Sequence, residues 1–150
     1  MNIKRFSFMK APITLFLAVV MASFPSVSYA SIGGARGNAN VLFRALRANG
    51  WNVRDCFDVG LLRKGQSVLI RTTLLAGNTY KIAAAGCEDG YDVDIAVYDE
   101  NGNFIDSDGD SQQLAVADVR PAWSGTYFIK VTMYNSTYNG AHYVVQYAFR

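Results

Sequence analysis

Histidine is almost missing from this 150-residue chain, where His142 stands alone. That scarcity excludes a zinc site built from several histidines and leaves any serine-histidine mechanism resting on one side chain. Cysteine occurs twice, as Cys56 and Cys87, so only one pairing is open and no thiolate cluster can form. No serine sits in a glycine-flanked nucleophile elbow; Ser124 lies in W-S-G, which is turn chemistry. No internal repeat of fixed period occurs, and no second apolar run downstream of the first is long enough to span a bilayer. Lys and Arg are absent between Lys81 and Arg120.

What is present at the start is an export signal. Lys4, Arg5 and Lys10 form a basic beginning, residues 11–22 an apolar stretch, and Ser28 and Ala30 the small-residue positions before a cut between Ala30 and Ser31. The stretch is broken by Pro12 and Thr14 and ends at Pro25, too short for a membrane span of about 20 residues. No Cys follows it that could carry a lipid. Residues 1–30 are therefore expected to be a cleaved signal peptide, and the product to be periplasmic or secreted. Three of the 14 basic residues leave with it, so 11 face 12 acidic residues, a balance of −1 that gives nucleic acid or an anionic membrane nothing to hold. In the oxidising compartment beyond, Cys56 and Cys87 are expected to form a disulfide closing a loop of roughly thirty residues, which stabilises by about 3 kcal/mol in the chain-entropy picture.

Residues 31–38 are rich in glycine (Gly33, Gly34, Gly37) and read as a mobile leader. Asn38 or Asn40 is expected to cap a short helix of about three turns with Val41, Leu42, Ala45 and Leu46 on one face, stopped by Asn49-Gly50. From residue 51 the apolar period changes to two. Residues 67–74, 80–85, 92–98, 104–106, 114–119, 126–133 and 142–149 are short runs rich in Val, Ile, Thr, Tyr and Phe, each bounded by turn residues such as Ala76-Gly77-Asn78 and Asn101-Gly102. Seven or eight such strands with no helix between them predict an all-β chain, an antiparallel β-sandwich of jelly-roll type over residues 51–150, preceded by one short N-terminal helix within residues 31–50. Alternation assigns Val93, Ile95 and Val97, then Tyr127, Ile129, Val131 and Met133, then Tyr143, Val145, Tyr147 and Phe149 to the core.

The run from Leu74 to Tyr147 carries L-L-A-G-N-T-Y at 74–80, D-V-D-I-A-V-Y-D-E-N-G-N at 92–103, D-S-D-G-D at 106–110 and W-S-G-T-Y-F-I-K-V at 123–131. In this combination the chain resembles the bacterial pre-peptidase C-terminal domain family, small β-sandwich modules that accompany secreted proteases. The resemblance implies a non-catalytic module. It departs from the usual setting in that the module makes up nearly all of the chain after the signal, with no catalytic domain beside it.

Nine of the 12 acidic residues fall between Glu88 and Asp110. Charges so dense must be solvated, paired from elsewhere, or neutralised by a cation, and outside the cytoplasm calcium is the natural one. The expected calcium ligands are Asp92, Asp94, Asp99, Asp106, Asp108 and Asp110, although 106–110 lacks the later glutamate and the glycine position of an EF-hand. The competing reading is an acidic segment that keeps a strand edge from pairing with other chains. Nine Tyr and 2 Trp exceed what one core must hold, so Trp123, Tyr134 and Tyr138 are candidate ligand contacts. The leading expectation is a non-enzymatic, monomeric binding module for an extracellular or periplasmic protein or polysaccharide, needing no cofactor beyond calcium. The alternatives are an inhibitor or folding partner of a secreted protease, and a small hydrolase using paired carboxylates or a metal.

Overall fold

A computed structural model describes residues 31–150; the expected signal peptide lies outside them. One helix, α1 (Ile32–Ala48), precedes nine strands: β1 (Asn52–Val53), β2 (Asp58–Leu62), β3 (Ser67–Leu74), β4 (Tyr80–Gly86), β5 (Gly90–Asp99), β6 (Phe104–Asp108), β7 (Leu114–Val119), β8 (Gly125–Ser136) and β9 (Ala141–Phe149). Two sheets form, every pairing antiparallel. One runs β1-β9-β4-β7 with β2 also on β9; the other runs β3-β8-β5-β6. The all-β sandwich with a leading helix is thus what the alternation predicts.

The inward positions fill the core as the period of two requires. Val93, Ile95 and Val97 from β5 and Tyr127, Ile129, Val131 and Met133 from β8 are buried against Tyr80, Ile82, Ala115, Ala117 and Val119 of the facing sheet. β9 departs from simple alternation, because Val144, Gln146 and Ala148 are buried as fully as Tyr143, Val145 and Tyr147. The cause is α1, which packs on β9 and β4 and covers the outer side of their sheet. Ala35, Ala39, Phe43 and Leu46 form the buried stripe of the helix, and the small Ala83 and Ala85 stand beside Gln146 and Val144 on the side it covers, letting it approach closely.

The helix corrects the leader reading. It begins at Ile32 and runs 17 residues, so Gly33, Gly34 and Gly37 are helical. Ser31 is the N-cap, its hydroxyl accepting from the Gly34 amide at 2.9 Å. Asn38 is no cap: its side-chain amide donates to the Gly86 carbonyl at 2.7 Å and ties the helix to β4. Three glycines cost the helix about 1 kcal/mol each in propensity, and tertiary packing of the alanine stripe offsets that cost.

The expected disulfide is also corrected, since both thiols are free, Cys56 exposed and Cys87 buried. The register explains why. The Cys87 amide donates to the His142 carbonyl on one side of β9, whereas Asp58 pairs with Val145 on the other side, and Cys56 lies beyond Asp58. Three residues along β9 and two strand spacings across it already separate Cys87 from Asp58 by about 14 Å, twice the roughly 7 Å that a disulfide tolerates.

Candidate binding face

With the outer side of one sheet covered by α1, the outer side of β3-β8-β5-β6 is the open face. Its register lines up Arg71 with Phe128, Phe128 with Tyr98 and Tyr98 with Phe104, a cross-strand row spanning all four strands. Tyr98 and Phe104 meet edge to face, centroids 6.1 Å apart, and Phe104 is 60% exposed. The next row is Leu69, Lys130, Ala96 and Ser107, and the one after it sets Ser67 and Thr132 beside Asp94, with the two hydroxyls 2.8 Å apart. Tyr134, 64% exposed, extends this face along β8. A shallow recess of about 240 Å³ opens among Asp94, Tyr98, Ser107, Asp108, Lys130 and Thr132. The face therefore offers aromatic surface with a cation and carboxylates set close beside it.

The three aromatics expected from sequence do not come together. Trp123 precedes β8 and Tyr138 follows it, so the eleven residue steps of that strand hold them roughly 36 Å apart. Tyr138 stands 97% exposed on the β8–β9 hairpin. Trp123 instead stacks on Tyr127 at 6.0 Å, and the Tyr127 hydroxyl donates to its carbonyl at 2.9 Å, so it staples the β7–β8 connection. Phe128, Tyr98, Phe104 and Leu69 are not marked by loop or turn composition. Their signal was parity: each is a large apolar side chain in the outward register of its strand, where burial does not account for it.

The acidic segment resolves into separate tasks. Asp99 accepts from the Asn101 and Asn103 amides and from the Asn103 side chain, each at 2.8 Å, and so builds the β5–β6 turn. The Asn103 side chain, with those amides, holds the Asp99 carboxyl below the usual range. Asp106 accepts from the Asp118 amide at 2.7 Å and Asp108 from the Val116 amide at 2.8 Å, while Asp110 accepts from Gln112 at 2.9 Å. Asp92 buries an oxygen without a partner. Burial, then the charges of Asp92, Asp108 and Asp110, push the Asp94 carboxyl up. Among the described residues no three His, Cys, Asp or Glu side chains gather to hold a metal ion. The six aspartates expected to bind calcium therefore do not fit one cation site, and Asp99, Asp106 and Asp108 each engage backbone amides instead.

Ser124 and His142 lie beyond opposite ends of β8. The Ser124 hydroxyl accepts from the Ala76 amide at 2.9 Å, and His142 buries an unpartnered Nδ1 on β9. Neither is placed to activate the other.

No protein-family model matches this chain, and no curated protein does. Among solved structures it is similar to Aeromonas hydrophila PliG, a periplasmic lysozyme inhibitor of g-type lysozyme, at 17% identity, covering 67% of this chain and 87% of that one with a TM-score of 0.44.

Proposed function

We propose that this protein is a non-enzymatic binding module, exported to the periplasm or beyond, that takes a protein ligand on the open face of β3-β8-β5-β6. The observation that carries this reading is the outward-facing row of Arg71, Phe128, Tyr98 and Phe104, in which Arg71 and Phe104 are exposed and Phe128 and Tyr98 half-buried between them. Aromatic and arginine side chains are the ones that concentrate binding energy at protein interfaces, and an uncovered flat sheet offers them together without a deep cleft of the kind small substrates use. Lys130 and Asp94 beside the row add charges of both signs, suited to fixing the orientation of a partner. Kinship with the pre-peptidase C-terminal modules belongs to the same proposal, supported by the D-V-D-I-A-V-Y-D run forming β5 and W-S-G-T-Y leading into β8.

The test is immobilised protein presented with periplasmic extract and with a panel of secreted proteins that includes g-type lysozyme. A specific partner is expected to bind the native chain and the Tyr138→Ala variant alike, and to lose at least tenfold in affinity with Phe104→Ala and Phe128→Ala combined. Binding that ignores the double variant, or the absence of any saturable partner, rejects the proposal.

A further inference from the structure

On the opposite side of the sandwich, under the C-terminal half of α1, a cavity of about 250 Å³ lies between the helix, the β1–β2 connection and β9. Gln146 of β9 forms part of its wall. This side chain is 3% exposed, and its Oε1 is buried without a hydrogen-bond donor from the protein. A buried acceptor left empty costs free energy, so the position favours a ligand that brings an N–H or O–H. Phe43 and Phe57 supply apolar walls, and the Arg36 guanidinium lies 4.8 Å over the Phe57 ring. At the mouth stand Arg44 and Arg47. Arg47 meets Asp55 at 3.3 Å in an exposed pair, and Arg44 has no carboxylate partner among the described residues.

Donor-seeking amide, apolar walls and paired guanidinium groups are the complement of one chemical pattern. We infer that this cavity binds the C-terminal residue of a polypeptide. The last N–H of the peptide donates to Gln146 Oε1, the terminal carboxylate is held by Arg44 and Arg47, and the last side chain packs between Phe43 and Phe57. At about 30 Å³ for the share of one water, the volume holds roughly eight water-sized groups, close to one acylated residue. The preceding chain leaves through the mouth. Arginine suits the carboxylate because its planar fork can bind both oxygens.

The test is a titration of the isotope-labelled protein, following the Gln146 side-chain amide by NMR. The probes are acetyl-trialanine, acetyl-alanine, acetyl-alanine methylamide, which lacks the carboxylate, and acetate, which lacks the amide. Acetyl-trialanine is expected to shift the Gln146 signals saturably and to bind at least tenfold tighter than the methylamide or acetate. Arg44→Gln, an exposed change that leaves the fold intact, is expected to weaken it at least fivefold, and Gln146→Met to abolish it while the melting temperature stays level or rises. Phe104→Ala, on the other face, is expected to leave it unchanged, which separates this site from the sheet-face reading. No saturable shift with any probe, equal binding of the methylamide, or an Arg44→Gln variant that binds as the native protein does would overturn the inference. Acetyl-alanine carries the same N–H, side chain and carboxylate and is expected to bind within a few-fold of acetyl-trialanine; an acetyl-alanine that fails to bind where acetyl-trialanine does would also overturn the inference, because the contacts would then lie outside the last residue.

Discussion

Arg54 grips Tyr147 twice: its amide donates to the Tyr147 carbonyl at 2.9 Å, and its guanidinium lies 4.7 Å over the Tyr147 ring. The same guanidinium donates to the Thr73 carbonyl at 3.0 Å, so one side chain between β1 and β2 bridges the two sheets. The Tyr147 hydroxyl completes the network by donating to Asp58 at 2.8 Å. Burial first, then that hydrogen bond and the Asp58 charge, push the phenol above the ordinary range near 10.0.

The sign of that shift makes a prediction. A phenol whose folded pKa is raised contributes stability that is complete below the unfolded value and is lost as pH rises past it. Tyr147→Phe is expected to cost about 1 kcal/mol at pH 7, the worth of a typical hydrogen bond, and the deficit is expected to shrink above pH 10 as the native protein loses the Tyr147 contribution that the variant lacks. Urea denaturation of both proteins at pH 7 and above pH 10 checks this; parallel losses at high pH would contradict it.

Gly140 turns the chain from β8 into β9 at φ +87°, and a Cβ there would stand 2.7 Å from the Leu62 carbonyl oxygen. Gly102 has a similar φ of +82° in the β5–β6 turn but open space around it. Gly102→Ala is expected to cost ~1 kcal/mol for the left-handed backbone alone, and Gly140→Ala clearly more, above ~2 kcal/mol, because rigid backbone must move as well. Urea midpoints of the two variants decide the order.

These particulars mark where the sequence speaks and where it falls silent. β3 and β7 have the ends their alternation announces, because each is flanked by turn residues and alternates between an inward and an outward face. β2 is not legible in the sequence: D-V-G-L-L has no clean period, and only glycine fits at position 60, because the Tyr143 ring from β9 lies 2.7 Å from where a Cβ would stand. The helix start was hidden by glycines that local propensity counts against, while the stripe that stabilises them, Ala35 and Ala39, is informative only once β4 is known to present alanines beneath it. Gln146 could not be singled out for the same reason. A polar residue at an outward strand position reads as solvated until α1 covers it.

Asp94 is a carboxyl that the fold disfavours in its charged form. A raised folded pKa means that the native state is relatively better below that pKa and carries a penalty at neutral pH. Asp94→Asn is therefore expected to raise stability at pH 7, by about 0.5 kcal/mol at most given the partial exposure of the group, and to have no effect near pH 3. Thermal melts across that range test it; a destabilised variant at pH 7 would show that the carboxylate is needed in charged form.

The separation of the two cysteines makes a direct chemical forecast. An aromatic disulfide reagent is expected to titrate one thiol, that of the exposed Cys56, in the native protein, and the second, Cys87, only after unfolding. Reducing agent is expected to leave the melting temperature unchanged. A protein with no titratable thiol in denaturant would restore the disulfide.

Asp106 and Asp108 give the acidic segment its structural meaning. β7 lies at the edge of its sheet, and the Val116 and Asp118 amides on its open side are met by Asp108 and Asp106 of β6, the edge strand of the facing sheet. The two aspartates are spaced by two residues, as are the two amides, so the carboxylates form a side-chain ladder where no backbone ladder can reach. This closes one flank of the sandwich and occupies donors that would otherwise invite another chain. Replacing both with Asn retains an acceptor oxygen at each position and is expected to be tolerated. Replacing both with Ala uncovers the edge, and is expected to lower stability by roughly 1–3 kcal/mol and to yield concentration-dependent association by light scattering. An alanine pair that stays monomeric and as stable as the asparagine pair would mean that water satisfies the β7 amides equally well, and that the ladder has no protective role.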